Sequence, residues 1–225
     1  MRASSANMSR DRREKCYQFA SVLAATALLA VSLIHPIYPH EQWLQHPPTV
    51  AALAALFWTA KRQWLSTAAM TCLVAFLVLH IVGARWIYSY VPYDQACAAV
   101  FGSGPNEWFS WTRNHYDRFV HLAFGLLLPM PIVEAAKRHG GLSRTWALAV
   151  AIGVVGTASA GYEVFEWLLA MIAAPEYAER YNGQQGDMWD GQKDMALALA
   201  GALVAAAIIA ARGARSTATI VSVES

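Results

Sequence analysis

Asp117 and His121 stand four residues apart in the run Asn114-His115-Tyr116-Asp117-Arg118-Phe119-Val120-His121. On a helix that spacing separates two side chains by about 40 degrees, so a carboxylate and an imidazole share a face. Glu163 and Glu166, three apart in Tyr162-Glu163-Val164-Phe165-Glu166-Trp167, share another, and Asp187, Asp190 and Asp194 follow at spacings of three and four. On a helix the three aspartates fall within about 60 degrees of one face. Gly186 precedes Asp187 as it would at a helix start, where carboxylates gain from the helix dipole. His80 completes the set. If these groups converge, six carboxylates meet two adjacent cations, Arg118 and Lys193, and the charge balances only with protons, a metal or a cationic ligand. The expected metal ligands are therefore His80, Asp117, His121, Glu163, Glu166, Asp187, Asp190 and Asp194, with Glu163, Glu166, Asp187 and Asp190 as catalytic candidates. Carboxylates with one or two imidazoles suit Mg, Mn, Zn or Fe, and the residue types do not rank these.

The elements that must position these groups are membrane spans. Of 225 residues 56% are hydrophobic and only 14% charged, against about a quarter charged in a soluble domain. A net charge of +2 offers no basic field for nucleic acid and no acidic excess for disorder, and three cysteines exclude a disulfide scaffold. Apolar runs fall at residues 19–37, 48–60, 65–82, 119–136, 145–174 and 195–211. The expected fold is all-α, a six-transmembrane-helix bundle in which the 13-residue second run is the shortest. Orientation supports that run. With an inside N-terminus, twelve Lys and Arg fall in inside segments and five in longer outside ones, as the positive-inside rule requires. Omitting the second span would put Lys61 and Arg62 outside and reverse every later loop. Both termini are thus expected in the cytoplasm, with residues 1–15 and 213–225 as tails and 16–212 as one membrane domain. The first apolar run has no small-residue cleavage site and reads as a retained span rather than a secretory signal.

In this orientation eleven of fifteen carboxylates and six of seven histidines lie at or beyond the outer boundary, which places the acidic set there. Most of the nine tryptophans lie near a boundary and read as interface anchors. The aromatic-rich loop between Gly83 and Arg118 reads mainly as packing, with a cover over the site as its functional alternative. His35, His40, Glu41 and His46 lie in a Pro-rich stretch that reads as solvated loop, and Glu134 as a partner of Lys137 or Arg138. Gly153, Gly156, Ala160 and Gly161 offer small-residue faces for packing within the bundle or between protomers. There is no HExxH motif, no GxSxG elbow, no P-loop and no paired Glu-x-x-His.

The strings His80-Ile81-Val82-Gly83-Ala84-Arg85, Tyr88-Ser89-Tyr90-Val91-Pro92-Tyr93-Asp94, Tyr162 to Trp167 and Gln185 to Met195, with the Asp117/His121 run, resemble the YjdF family of bacterial inner-membrane proteins over residues 20–211. That resemblance implies a six-span inner-membrane protein and carries no activity with it. A weaker similarity runs to VanZ-like membrane proteins, in which an Asp-x-x-x-His opening, a Glu-bearing middle helix and an Asp-rich entry to a Gly-containing final helix recur in this order. The Trp189-centred acidic block departs from that pattern. Three readings are open: a metal-dependent enzyme acting on a lipid or envelope substrate, a proton- or cation-coupled transporter, and a non-catalytic accessory protein. The expected partner is membrane lipid, with no nucleic acid and no expectation about oligomeric state. The placement of the acidic groups at one face counts against transport, since transporter sites usually lie near the midplane.

Overall fold

A computed structural model describes residues 2–172 and 183–223, with side chains described for 11–172 and 183–213. Its elements, in chain order, are the helices α1 (Arg2–Ser32), α2 (Pro39–Arg62), α3 (Thr67–Arg85), α4 (Tyr93–Phe101), α5 (Pro105–Trp108), α6 (Tyr116–Leu127), α7 (Pro129–Arg138), α8 (Arg144–Ile172) and α9 (Asp190–Val223). No strand occurs among the described residues. Five stretches are long and apolar enough to cross a membrane: Asp11–Ser32, Thr67–Arg85, Tyr116–Arg138, Arg144–Ile172 and Asp190–Gly213. The second apolar run lies inside α2, which has 24 residues but is not among those five.

The all-α architecture follows from the need to satisfy every backbone polar group internally where water is absent. Local signals mark the boundaries. Pro39 opens α2, where a missing N–H costs nothing, and Gln63 ends it in the left-handed region at φ 52°. Ser66 caps α3 by accepting a hydrogen bond from the Ala69 N–H at 3.2 Å. Pro129 cannot donate to the carbonyl one turn before it, and there the span Tyr116–Arg138 divides into α6 and α7.

Two groups of helices build the bundle. In the first, Val22, Ala25 and Leu29 of α1 meet Leu53, Leu56 and Ala60 of α2 and Met70, Val74, Leu77 and Ile81 of α3. In the second, Val155 of α8 packs with Ala198 and Ala202 of α9 against Phe124, Leu128 and Ile132, while Ala147 and Ala151 pack on Val133 of α7. The closest approach is the crossing of α6 and α9. A methyl group on Gly125 would collide with the Ala198 carbonyl, and one on Gly201 would stand 2.7 Å from the Leu122 carbonyl oxygen. Only glycine permits backbone contact of this kind. By contrast Gly153, Gly156 and Gly161 of α8 have open space where a side chain would stand, so none of them serves packing among the described residues.

The solvated loop expected around His35 to His46 needs correction. His35 and His40 are exposed, but Glu41 and His46 are each only 5% exposed on α2, which begins nine residues before the second apolar run. Gln42, Gln45, His46 and Thr49 continue the stripe of Leu53, Leu56 and Ala60, so a buried helical face starts out polar and becomes apolar. Pro47 and Pro48 obscure that period in the sequence because they are tolerated inside the helix. The terminal helices α1 and α9 also run beyond their apolar cores, from Arg2 and to Val223. Eight of the nine tryptophans expose more than a third of their surface, as boundary anchors would, and Trp86 packs inside.

Candidate functional site

The site lies at the bundle end that holds Arg85, Tyr116 and Asp190, and its geometry starts from the α6–α9 crossing. Asp117 and His121 project from the first turns of α6, and Asp190 and Asp194 from the first turns of α9. Because the two helices touch through Gly125 and Gly201, these four side chains are pressed into one space. All are buried: Asp117 and His121 to 8% exposure, Asp190 to 3% and Asp194 to 2%.

The acidic groups divide into two sets. Asp190 takes both arms of the Arg113 guanidinium, at 2.8 and 3.0 Å, and a third charge-assisted bond from Arg118 at 2.9 Å. Asp187 is bonded by Arg118 and by Lys193, and its second oxygen accepts from the Trp189 N–H at 3.1 Å. The Lys193 bond, the Trp189 N–H and Arg118 hold the Asp187 carboxyl well below the usual carboxylate range. Asp187 does not share the helix face of Asp190 and Asp194 as its spacing predicts. Helix α9 begins only at Asp190, and Asp187 sits in the turn before it, its carbonyl accepting from the Asp190 N–H. Gly186, at φ 83°, belongs to the turn before that one, closed by the Asp187 N–H on the Gln184 carbonyl at 2.9 Å, rather than to the start of the helix.

The second set is Asp117, His121, Asp194, Glu163 and Glu166. Donor atoms of Asp117, His121 and Asp194 all lie within 4.8 Å of one another. His121 Nε2 is 3.7 Å from Asp117 Oδ1 and 3.5 Å from Glu163 Oε1, and its Nδ1 is 3.4 Å from the Ser159 hydroxyl. Glu163 approaches the start of α9 so closely that a methyl on Gly191 would stand 2.6 Å from its Oε2. Glu166, 8% exposed, accepts a hydrogen bond from Tyr162 one turn earlier on α8. No Lys or Arg ion pair reaches Asp117, Glu163 or Asp194 among the described residues. Glu163 Oε1 and Asp194 Oδ1 are buried with no hydrogen-bond partner among the described residues. Asp117 therefore does not pair with its neighbour Arg118, which turns to Asp187 and Asp190.

His80 stands apart from both sets. Its Nε2 meets the Thr49 hydroxyl at 2.8 Å and its Nδ1 the Tyr88 hydroxyl at 2.5 Å, so both ring nitrogens are engaged. A metal ligand needs one of them free, and His80 as it stands is no member of the acidic cluster. Its depth on α3 matches the others, but sequence depth says nothing about the direction a helix faces.

Sequence reasoning missed Arg113 and Ser159 as site residues. Arg113 lies outside the helix, and besides the adjacent Asn114 carbonyl its partners are 70 to 77 residues away: the carbonyls of Gly183 and Gln184, Asp187 and Asp190. The neighbouring Asn114 and Gln185 exchange two hydrogen bonds, at 2.9 and 3.0 Å, which tie the entry of α6 to the entry of α9. Two basic residues flanking an aspartate at 113, 117 and 118 were the available signal. His115, between them, is pushed toward its neutral form by burial and by the positive charges of Arg118 and Arg113. Glu134 accepts from the Ser66 backbone N–H and hydroxyl, both at 2.5 Å, and pairs with Arg138 at 3.7 Å, the second of its two expected partners.

Apolar helices of spanning length, with ionisable groups gathered at one end, define a polytopic α-helical membrane protein. The chain belongs to the DUF2238 family, described as a predicted membrane protein family, whose match covers residues 17–215. It is 30% identical over 191 residues to the inner membrane protein YjdF of Escherichia coli K12, covering 83% of this chain and 87% of that one. No solved structure matches the chain.

Proposed function

We propose that this chain is a metal-dependent membrane enzyme acting on a lipid or envelope substrate, with the cation held by Asp117, His121 and Asp194. The observation that carries the reading is the buried convergence of those three donors within 4.8 Å, with no Lys or Arg ion-paired to Asp117 or Asp194 among the described residues. Divalent cations with bonds of about 2.0 to 2.6 Å span opposite donors about 4 to 5 Å apart, so the set is of the right size. An imidazole among carboxylates favours Mn, Zn or Fe over an all-oxygen ion.

Such a cation would polarise a phosphoryl or carbonyl oxygen and lower the pKa of water. The chain's own residues supply the rest. Ser159 orients His121 through Nδ1, which leaves Nε2 facing the acidic groups. Glu163, with an unpartnered buried oxygen, holds the position of a general base, and Glu166 stands behind it one turn along α8. Asp187 and Asp190, proposed as catalytic from their spacing, instead hold Arg113 and Arg118 beside the site. In that place the arginines suit a substrate phosphate.

The positive-inside count supports six spans including α2, with both termini and the tails 1–15 and 213–225 in the cytoplasm and the site facing outward. The inner-membrane relative supports the same location. The similarity to VanZ-like proteins is a fold-level analogy for an envelope role.

The test is elemental analysis of the detergent-purified protein beside Asp117→Asn with Asp194→Asn. Near-stoichiometric metal in the parent and its loss in an equally folded variant is the expected result. Absence from both after reloading with Mg, Mn, Zn and Fe would overturn the reading in favour of cation-coupled transport or an accessory role.

A further inference from the structure

A cavity of about 330 Å³ lies between α2, α3, α6 and α8 and shares Asp117 and His121 with the site. Its middle is apolar, formed by Ala52, Phe76, Leu77, Val120, Phe124 and Ala158. Polar groups line it on two sides: Asp117, His121, Ser159 and Tyr162 from α6 and α8, and Thr49, His80 and Tyr88 from the α2–α3 side. The cavity exists because α8 packs on α7 and α9 rather than on α2 or α3. Its bounds include Pro48 and Thr49 on α2 and Ala158 and Ser159 on α8, the latter two inside the apolar span Arg144–Ile172, and it is not closed. At that depth the molecule at hand is lipid.

The α2–α3 wall is built with care. The Thr49 hydroxyl donates to the Gln45 carbonyl at 2.7 Å, so it accepts from His80 Nε2–H, and this leaves Nδ1 to accept from the Tyr88 hydroxyl. One tautomer is thereby fixed. Tyr88 reaches His80 because its ring lies over Gly83, where a methyl would stand 2.7 Å from the ring. Ile87 and Tyr88 both have positive φ, 44° and 57°, an uncommon conformation that is a true outlier for a β-branched residue. Local backbone cost of this kind persists where the surroundings over-determine it, often at ligand sites.

We propose that this cavity takes one apolar chain of a membrane lipid through the gap between α2 and α8, with the lipid's polar end at the Asp117–His121 wall and the internally bonded Tyr88–His80–Thr49 arm forming the opposite side. The proposal rests on the enzyme reading above and names its substrate class. An apolar slot with polar groups at its margins complements an amphiphile, and about 330 Å³ falls in the range of pockets that bury small ligands.

The experiment places the full chain in phosphatidylglycerol nanodiscs doped with phosphatidylglycerol bearing a diazirine midway along one acyl chain. After illumination, adducts are mapped by peptide mass spectrometry. Adducts at Phe76, Leu77 and Phe124 are expected, reduced at least fivefold in Ala158→Phe, which adds bulk at an exposed position and leaves metal content at the parent's level. Ala52→Leu should act the same way from the other helix. Tyr88→Phe keeps the ring and removes the hydroxyl that holds His80 in the wall, and a severalfold lower yield is expected from the loosened cavity. Adducts confined to outward positions such as Val150 and Leu203, equal in parent and Ala158→Phe, would overturn the chamber, and an unchanged yield in Tyr88→Phe would overturn the arm. Cavity adducts in a parent that holds no metal would support the chamber while the metal reading fails.

Discussion

Asp190 and Asp194 lie one turn apart on α9, 3% and 2% exposed, and are held by opposite means. Asp190 receives the forked Arg113 and a further bond from Arg118, whereas Asp194 faces Asp117 and His121 and keeps one oxygen without a partner. A buried carboxylate with two guanidiniums is a structural clamp whose charge is already answered. One among other acidic groups is costly unless a proton or cation joins it. Four residues thus separate a carboxylate whose charge the fold answers from one whose charge it leaves open.

The largest effect should come from breaking the clamp. Arg113→Met takes the bidentate partner from Asp190, leaving it Arg118 alone, and frees the carbonyls of Gly183 and Gln184. Breaking a buried pair outright costs about 3–5 kcal/mol, and this change should cost a large part of that. A large drop in thermal midpoint in detergent is expected, with partial recovery on adding Asp190→Asn. No drop would show that the clamp is ornamental and would dissolve the contrast.

An intermediate effect of opposite sign is expected at Asp194. Asp194→Asn removes a carboxylate from an acidic neighbourhood, so in chelator the variant should melt no lower than the parent, and above it by up to about 2 kcal/mol. Added metal should raise the parent's midpoint and leave the variant's unmoved, because only the parent binds it. A variant that melts far below the parent in chelator would make Asp194 a second clamp.

The smallest effect concerns pH. His115, beside Arg113, Arg118, Asp187 and Asp190, favours its neutral form in the folded chain. The unfolded chain therefore binds the proton more readily, so this contribution is complete above the ordinary value of 6.5 and is lost as pH falls below it. His115→Gln should flatten the decline of thermal midpoint between pH 7 and 5 relative to the parent. Asp187, whose carboxyl is held low, contributes with a more acidic window: its share is full above the usual carboxylate range and is lost only on stronger acidification. An identical slope in the two proteins would remove His115 from the clamp's account.

Much of this architecture could be read from residue order because lipid enforces it: apolar runs, loop charge and boundary tryptophans are all one-dimensional. Asp117 with His121 was legible for the same reason, since the i, i+4 relation is local to one helix. The contribution of Glu163 followed from its place on α8, although its approach to Gly191 did not. Relations between elements were hidden. Nothing in the order of residues shows that Arg113 reaches across 77 positions to Asp190, or that α3 turns His80 toward Thr49 and Tyr88. The buried face of α2 was missed because its outer turns are Gln42, Gln45 and His46, polar residues that a hydrophobic period does not register. Asp187 was placed on the helix because spacing cannot tell a first helical turn from the turn that precedes it.

The break at Pro129 has a mechanical consequence. Above it α6 is bonded by contact to α9, and below it α7 is fastened to α8, with Glu134 latched to Ser66. The span Tyr116–Arg138 keeps helical backbone through Leu128 (φ −76°, ψ −28°) but has its two halves fastened to different neighbours. A substitution that disturbs the packing of one half should therefore leave the anchorage of the other at rest.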